Sequence, residues 1–241
     1  MAQALKVENV SFNYGEKRAL KGVNFALEKG RFCALLGPNG AGKSTLFSLL
    51  TRLFVTREGR IEVAGFDLAK NPRKALSRMG VVFQQPTLDL DMTVARNMSY
   101  FAALHGLAGR EAQRRIDEAL DRLDMRARAG EKARALNGGH RRRMEIARAL
   151  VHQPEVLLLD EPTVGLDTAS RRAITDHVHD LAGGGLTVFW ATHLVDEIWP
   201  QDDCIVLHRG EVLIHDKAAT VAGDRPLIDA FIDMTGSETA A

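Results

Sequence analysis

One stretch constrains this chain more than any other: Gly37, Pro38, Asn39, Gly40, Ala41, Gly42, Lys43, Ser44 and Thr45 run consecutively between two apolar segments. The preceding Phe32-Cys33-Ala34-Leu35-Leu36 reads as a buried strand and the following Leu46-Phe47-Ser48-Leu49-Leu50 as a helix, so the nine residues form the turn between them. They fit the phosphate-binding pattern G-x-x-x-x-G-K-[ST]. Glycines there let the backbone curl until successive N–H groups face a polyphosphate, and a helix starting near Lys43 adds the positive end of its dipole. Lys43 is expected to reach the β- and γ-phosphates of a nucleotide, and the Ser44 hydroxyl to ligate Mg²⁺.

With 241 residues, 45% hydrophobic and 26% charged, the chain has enough apolar material for one substantial core. A formal net charge of +1 argues against a general affinity for nucleic acid. Cys33 and Cys204 each lie in an apolar run and are expected as buried, reduced thiols of a cytosolic protein. No apolar stretch approaches the roughly 18 residues of a spanning helix. Residues 1–6 lack the apolar core of a signal peptide, so a membrane connection is expected only through a partner.

Along residues 5–32 the apolar positions alternate, with Leu5, Val7 and Val10, then Phe12 and Tyr14, then Val23, Phe25 and Leu27, punctuated by Gly15 and Gly30. This pattern predicts short antiparallel strands, Tyr14 closing the second. Its ring either stacks on a base or packs on the sheet, and the residues alone leave both open. Residues 58–67 read as another alternating strand that pairs with the first ones. Val81-Val82-Phe83 is a strand stopped by Pro86, leaving the Gln84 amide at its tip.

From 92 to 150 the pattern turns helical, Ile116, Leu120 and Leu123 falling at i, i+4 and i+7. The basic surplus Arg126, Arg128, Arg134, Arg141, Arg142 and Arg143 reads as a solvated face, with a nucleotide or acidic partner as the alternative for the last three. Val156-Leu157-Leu158-Leu159 is a central parallel strand delivering Asp160 and Glu161, the arrangement that sets a Mg²⁺-binding acid beside a phosphate loop. Residues 186–191 form a second buried strand, ending in Thr192 and His193. Residues 205–207 and 211–215 form a hairpin turning at Arg209-Gly210. Residues 237–241 are expected as a disordered tail.

These motifs in this order make the chain resemble the ATP-binding subunit of ATP-binding cassette (ABC) transporters over nearly its whole length. Residues 37–45 look like Walker A, Tyr14 like the A-loop aromatic, and Gln84 like the Q-loop glutamine. Leu136-Asn137-Gly138-Gly139-His140 resembles the signature sequence, residues 156–161 Walker B with its following glutamate, Gly165-Leu166-Asp167 the D-loop, and His193 the switch histidine. The resemblance implies an α/β fold: a P-loop NTPase (RecA-like) core over 1–91 and 151–225 that includes an N-terminal antiparallel β-subdomain. An inserted helical subdomain at 92–150 and a short C-terminal helix at 226–236 complete a single domain.

In that family two cassettes bind head to tail, so that ATP on one P-loop is covered by the signature of the other. The resemblance therefore implies that Tyr14, Gly37, Pro38, Asn39, Gly40, Ala41, Gly42, Lys43, Ser44 and Thr45 hold ATP. It implies Mg²⁺ ligation by Ser44, Gln84 and Asp160. Glu161 becomes the general base, with Lys43, Gln84 and His193 as its catalytic companions. Asn137, Gly138, Gly139, His140 and Asp167 become contacts to the ATP of the opposite copy. Side chains at 138 and 139 would keep the helix-start N–H groups from the γ-phosphate. The family's signature usually reads LSGGQ; Asn137 and His140 depart from it, but the asparagine amide can still donate a hydrogen bond.

The implied partners are ATP, a second copy of the chain and a separate integral-membrane permease, with no nucleic acid. The implied location is cytoplasmic, peripheral on the inner face of the cell membrane. Residues 227–236 resemble the short tail helix of the drug- and polysaccharide-export branch, which favours an exporter. The alternative is a soluble cassette ATPase acting on ribosomes or DNA. A single cassette, no heptad run and two isolated cysteines argue against it.

Overall fold

Strands that are apolar at every position need cover on both faces, and the centre of this fold supplies it. The computed structural model describes residues 3–236; the expected tail at 237–241 and the first two residues of the N-terminal reading lie outside them. In chain order the elements are β1 (Gln3–Tyr14), β2 (Lys17–Glu28), β3 (Phe32–Leu36), α1 (Lys43–Leu50), β4 (Arg60–Val63), β5 (Phe66–Asp67), α2 (Pro72–Leu76) and β6 (Met79–Val82). Then come α3 (Val94–Leu104), α4 (Gly109–Arg122), α5 (Gly138–Leu150), β7 (Val156–Asp160), α6 (Thr168–Gly183) and β8 (Thr187–Thr192). The chain continues with β9 (Asp203–His208), β10 (Glu211–Lys217), α7 (Ala218–Ala222) and α8 (Leu227–Thr235).

A six-stranded sheet runs in the order β10-β9-β3-β8-β7-β6, parallel except for β10 at its edge. Every residue of β3, β7 and β8 is buried, and alternate side chains feed two cores. Ala34, Leu36, Leu157, Leu159, Val188 and Trp190 face a core shared with Met98, Ile116, Leu120, Ile146, Ile174 and Phe231 of the helices. Cys33, Leu35, Leu158, Phe189 and Ala191 face the other, which α1 and a four-stranded antiparallel sheet, β2-β1-β4-β5, close. Phe189 joins these layers, its ring stacked 5.3 Å from Phe25 and 5.6 Å from Phe47.

The pairing of residues 60–63 with β1 agrees with the sequence reading, as do the burial of both cysteines and the 205–215 hairpin. At the hairpin turn Arg209 and Gly210 take φ of 49° and 82°, the double left-handed step that a two-residue connection requires. The expectation of two short strands before Gly15 needs correction. Residues 3–14 form one strand, kinked at Asn9, where φ is 51° and the pairing with β2 shifts between Val7 and Val10. Asn24 holds this irregularity by accepting from the Asn9 N–H at 2.9 Å and donating to the Asn9 carbonyl side chain at 3.0 Å. Tyr14 thus ends the first strand, not the second.

Candidate nucleotide site

Because β3, β6, β7 and β8 are parallel, their C-terminal ends share one edge of the sheet. That edge gathers the 37–45 loop, Gln84, Asp160 with Glu161, and His193. The tip of β8 fixes their register: the Thr192 carbonyl accepts from the Gly37 N–H at 3.3 Å, and the Ala191 carbonyl accepts from the Glu161 N–H at 2.9 Å.

Two glycines of the loop have no substitute. A Cβ on Gly37 would lie 2.5 Å from the Leu207 carbonyl oxygen; one on Gly42, at φ 113°, would lie 2.9 Å from Leu20 and 3.0 Å from the Ala19 carbonyl. Gly42 is also the residue from which α1 starts, so the positive end of the helix dipole lies at the loop. The buried Lys43 ammonium donates to the carbonyls of Gly37 at 2.7 Å and Pro38 at 3.3 Å and pairs with Glu161 Oε1 at 3.1 Å. Ser44 is exposed beside it. Tyr14 is 48% exposed, so its ring is reachable from solvent. Its hydroxyl lies 3.4 Å from Thr45 Oγ1, and Phe12 and Phe54 hold the ring edge-on at 5.1 and 5.7 Å.

The acidic side is built around Glu161, which stands at φ 46°, a left-handed conformation unusual for a glutamate. Besides Lys43 on Oε1, its Oε2 accepts from Gln84 Nε2 at 3.1 Å. His193 Nδ1 lies 3.5 Å from Oε1, too long for a firm hydrogen bond, and has no other partner. Asp160 is buried, and its Oδ1 has no hydrogen-bond partner. Burial first, and then the Glu161 charge, push the Asp160 carboxyl up to about 6. A buried carboxylate oxygen without a donor, on the sheet edge that also carries the exposed Ser44 hydroxyl, suits a hard divalent cation.

Comparison with known proteins agrees with this geometry. A sequence model of the ABC transporter family matches residues 20–164. A linearmycin resistance ATP-binding protein of Bacillus subtilis is 38% identical over 210 residues, covering 87% of this chain and 68% of the relative. The chain belongs to the ABC transporter family.

A daunorubicin resistance ATP-binding protein of Streptomyces coeruleorubidus is also similar, 38% identical over 99% of this chain and 76% of the relative. Among solved structures, cbiO1 from Clostridium perfringens, part of the ABC transporter complex cbiONQ, superposes with a TM-score of 0.85 at 31% identity, covering 97% of this chain and 96% of that one. The ATP-binding cassette MJ0796, in a dimeric post-hydrolysis state with ADP and Pi, gives 0.76 at 29% identity over 88% of this chain and 98% of that one. This ABC cassette has the P-loop NTPase fold, binds ATP and is an ATPase of the transporter class.

Among the described residues no hydrogen bond or ion pair joins the signature residues to the P-loop of the same copy. Asn137 is the N-cap of α5, its Oδ1 accepting from the His140 N–H at 2.8 Å. Asp167 caps α6, accepting from the Ser170 N–H at 2.9 Å and the Ser170 hydroxyl at 2.7 Å. A Cβ on Gly139 would lie 2.7 Å from Ser170 Oγ, and one on Gly138 would lie 3.1 Å from Leu166. Gly139 therefore has a packing reason inside the chain, besides the phosphate approach expected from sequence, whereas at Gly138 a small shift of the Leu166 side chain would make room. His140 is half-buried; burial, then Arg128 and Arg143, hold its imidazole below its usual pKa.

The solvated reading of the Arg141 to Arg143 cluster fails at Arg142, which is buried and paired with the buried Glu145 at 2.9 Å. Arg142 also donates to the carbonyls of Phe83 at 2.8 Å and Gln84 at 2.9 Å. Glu145 accepts from the Thr87 N–H at 2.7 Å, and Arg148 donates to the Thr87 carbonyl at 2.9 Å. One face of α5 thus clamps the loop that carries Gln84. The spacing of Arg142, Glu145 and Arg148 by three was the available signal, but solvent-facing helices carry the same pattern.

Proposed function

We propose that two copies of this cassette close head to tail over two ATP molecules and drive export of a substrate through a separate membrane subunit. The observation that carries the reading is the convergence of Lys43, Gln84 and His193 on Glu161, beside the unpartnered Asp160 Oδ1. Residues 37–45 would cradle the phosphates, with Lys43 turned from Glu161 to the β- and γ-oxygens and Tyr14 under the base. Mg²⁺, held by Ser44, Asp160 and Gln84, would neutralise charge on those oxygens. Glu161, once released from Lys43, accepts the proton of the attacking water, and His193 donates to the γ-phosphate. From the other copy, Asn137, Gly138, Gly139, His140 and Asp167 would close the site. Its catalysis is then mostly positioning and electrostatics, so an incomplete dimer should turn over slowly.

Support for export comes from the names of relatives: drug-resistance proteins, and a Nod factor export ATP-binding protein of Ralstonia nicotianae at 36% identity over 80% of this chain. None of the relatives named here favours the ribosome- or DNA-acting alternative. Among the described residues no helix is long and apolar enough to cross a membrane, so the membrane component of this reading is the partner. Its place is a groove of about 590 Å³ lined by Phe83, Thr87, Met92, Tyr100, Leu104 and Arg148, where Tyr100 and Leu104 are 61% and 65% exposed. A short cytoplasmic helix of the permease fits such an apolar trough. Attached there, the cassette would sit on the inner face of the membrane.

The deciding experiment is Glu161→Gln. The variant should bind Mg·ATP with native affinity, accumulate as an ATP-dependent dimer and hydrolyse about a hundredfold or more slowly, because an amide cannot take the proton. Native turnover would remove Glu161 from the role of base.

A further inference from the structure

Glu197, on the short 3-10 turn Val195–Glu197 that follows His193, is 1% exposed. A buried carboxylate needs donors, and this one has three. It accepts from the Thr163 hydroxyl, from the Thr192 hydroxyl at 2.6 Å and from Trp190 Nε1 at 3.0 Å. All three donors are themselves buried. Thr163 lies two residues after Glu161, and Thr192 immediately precedes His193. Thr192 in addition accepts the Leu194 N–H at 3.0 Å, so the backbone on the far side of His193 is fixed through the same cluster.

The strained backbone of Glu161 gives this arrangement a purpose. A glutamate at φ 46° stays there only where its surroundings over-determine it. On the amino side the Glu161 N–H is held by the Ala191 carbonyl; on the carboxyl side the next side-chain anchor into the sheet is Thr163 on Glu197. The strand tip between them, residues 191–192, also holds the first N–H of the P-loop.

We propose that Glu197 is a positioning residue for ATP hydrolysis: its carboxylate, by tying Thr163 to Thr192, holds Glu161 and His193 in the relative placement that hydrolysis requires. The proposal deepens the reading above and rests on Glu161 being the base. An ionised carboxylate suits the post because it only accepts, whereas a glutamine would turn an N–H₂ toward one of the donors. Nucleotide affinity should change little when the tie is cut at Thr163, since the P-loop meets the strand tip through the Thr192 backbone carbonyl, which the β-sheet also holds, and Tyr14 lies on β1.

The test compares Thr163→Val with Thr163→Ser. The valine keeps size and removes one donor; the serine restores it. Expected for Thr163→Val is a kcat lowered between about tenfold and a hundredfold, with ATP affinity within about twofold of native. Thr163→Ser should return kcat to within about threefold of native, and Glu197→Gln should repeat the loss in kcat with ATP affinity likewise within about twofold of native. Ile174→Val, a buried change in α6 away from the cluster, controls for stability and should keep native kcat at a comparable drop in melting temperature. Native kcat in Thr163→Val, an equal loss in Ile174→Val, or a parallel loss of ATP affinity would each overturn the proposal. Glu161→Gln measured alongside separates the two levels: if it hydrolyses at the native rate the base assignment fails and the tie loses its purpose, whereas a dead Glu161→Gln with a native Thr163→Val sinks the tie alone.

Discussion

Asn137 is one of two positions, with His140, where this cassette departs from its family's signature, and the structure divides its side chain into two functions that substitution can separate. Its oxygen caps α5 through the His140 N–H at 2.8 Å, which leaves the amide N–H₂ as the group able to donate to a phosphate across a dimer interface. Losing the cap costs about 1 kcal/mol, which for a chain of this length lowers the melting temperature by roughly 2–4 °C. Losing a hydrogen bond to a charged oxygen costs about 1.5–3 kcal/mol, or roughly tenfold to a hundredfold in turnover. Asn137→Ala should show both losses. Asn137→Ser, whose hydroxyl accepts and donates, should show little of either. Asn137→Asp keeps the cap and places a negative charge at a helix start, so its melting temperature should hold or rise; without a donor, and with that charge facing phosphate, its turnover should fall at least as far as the alanine variant's. Melting in the absence of nucleotide and phosphate release at saturating Mg·ATP read the two terms separately. An Asn137→Asp protein that turns over at the native rate would refute the argument, leaving Asn137 as a cap and the Gly138 and Gly139 N–H groups with the helix dipole as sufficient.

Glu145→Ala strands the buried Arg142 guanidinium, a loss of about 3–5 kcal/mol, and should lower the melting temperature by about 10 °C while loosening residues 83–87 to proteolysis; a change under about 2 °C would show that the clamp contributes nothing. Burial, reinforced by the stacked His105 ring at 3.9 Å, lowers His152 to about 4, and its Nδ1 has no partner that could accept a proton's hydrogen bond. The unfolded chain therefore binds a proton that the native state refuses between about pH 6.5 and 4, so this contribution to stability is full above about 6.5 and is lost as pH falls through that window. His152→Leu should flatten the melting-temperature slope there, and an unchanged slope would contradict the assignment. Tyr100→Cys, exposed in the groove while Cys33 and Cys204 are buried, should crosslink to a cytoplasmic helix of the permease in an assembled complex; no crosslink would count against the groove as the docking place.

The phosphate loop was legible because everything that shapes it is contiguous. Gly37 and Gly42, the strand before and the helix after lie within about twenty residues, and their conformations follow from local sterics. The same holds for the Arg209-Gly210 hairpin and for the apolar runs that become β3, β7 and β8. Tertiary structure decided the rest. Tyr14, Gln84, Glu161 and His193 are spread over 180 residues, and only the strand order β3-β8-β7-β6 carries the last three to one edge beside the loop. Whether Asn137 faces a phosphate or its own helix depends on which neighbours surround the start of α5, and a composition of arginines says nothing about which of them is covered. Arg142 and Arg143 are adjacent in sequence, yet helical geometry turns them about 100° apart, and the packing of the 83–87 loop on one face alone buries the first with Glu145. Glu197 reads as an ordinary acidic residue in a turn; it becomes a buried acceptor because β7 and β8 lie side by side and bring Thr163 and Thr192 onto it from segments about thirty residues apart. Local sterics can be read along a chain, whereas the burial of a charge is a property of the elements that pack over it.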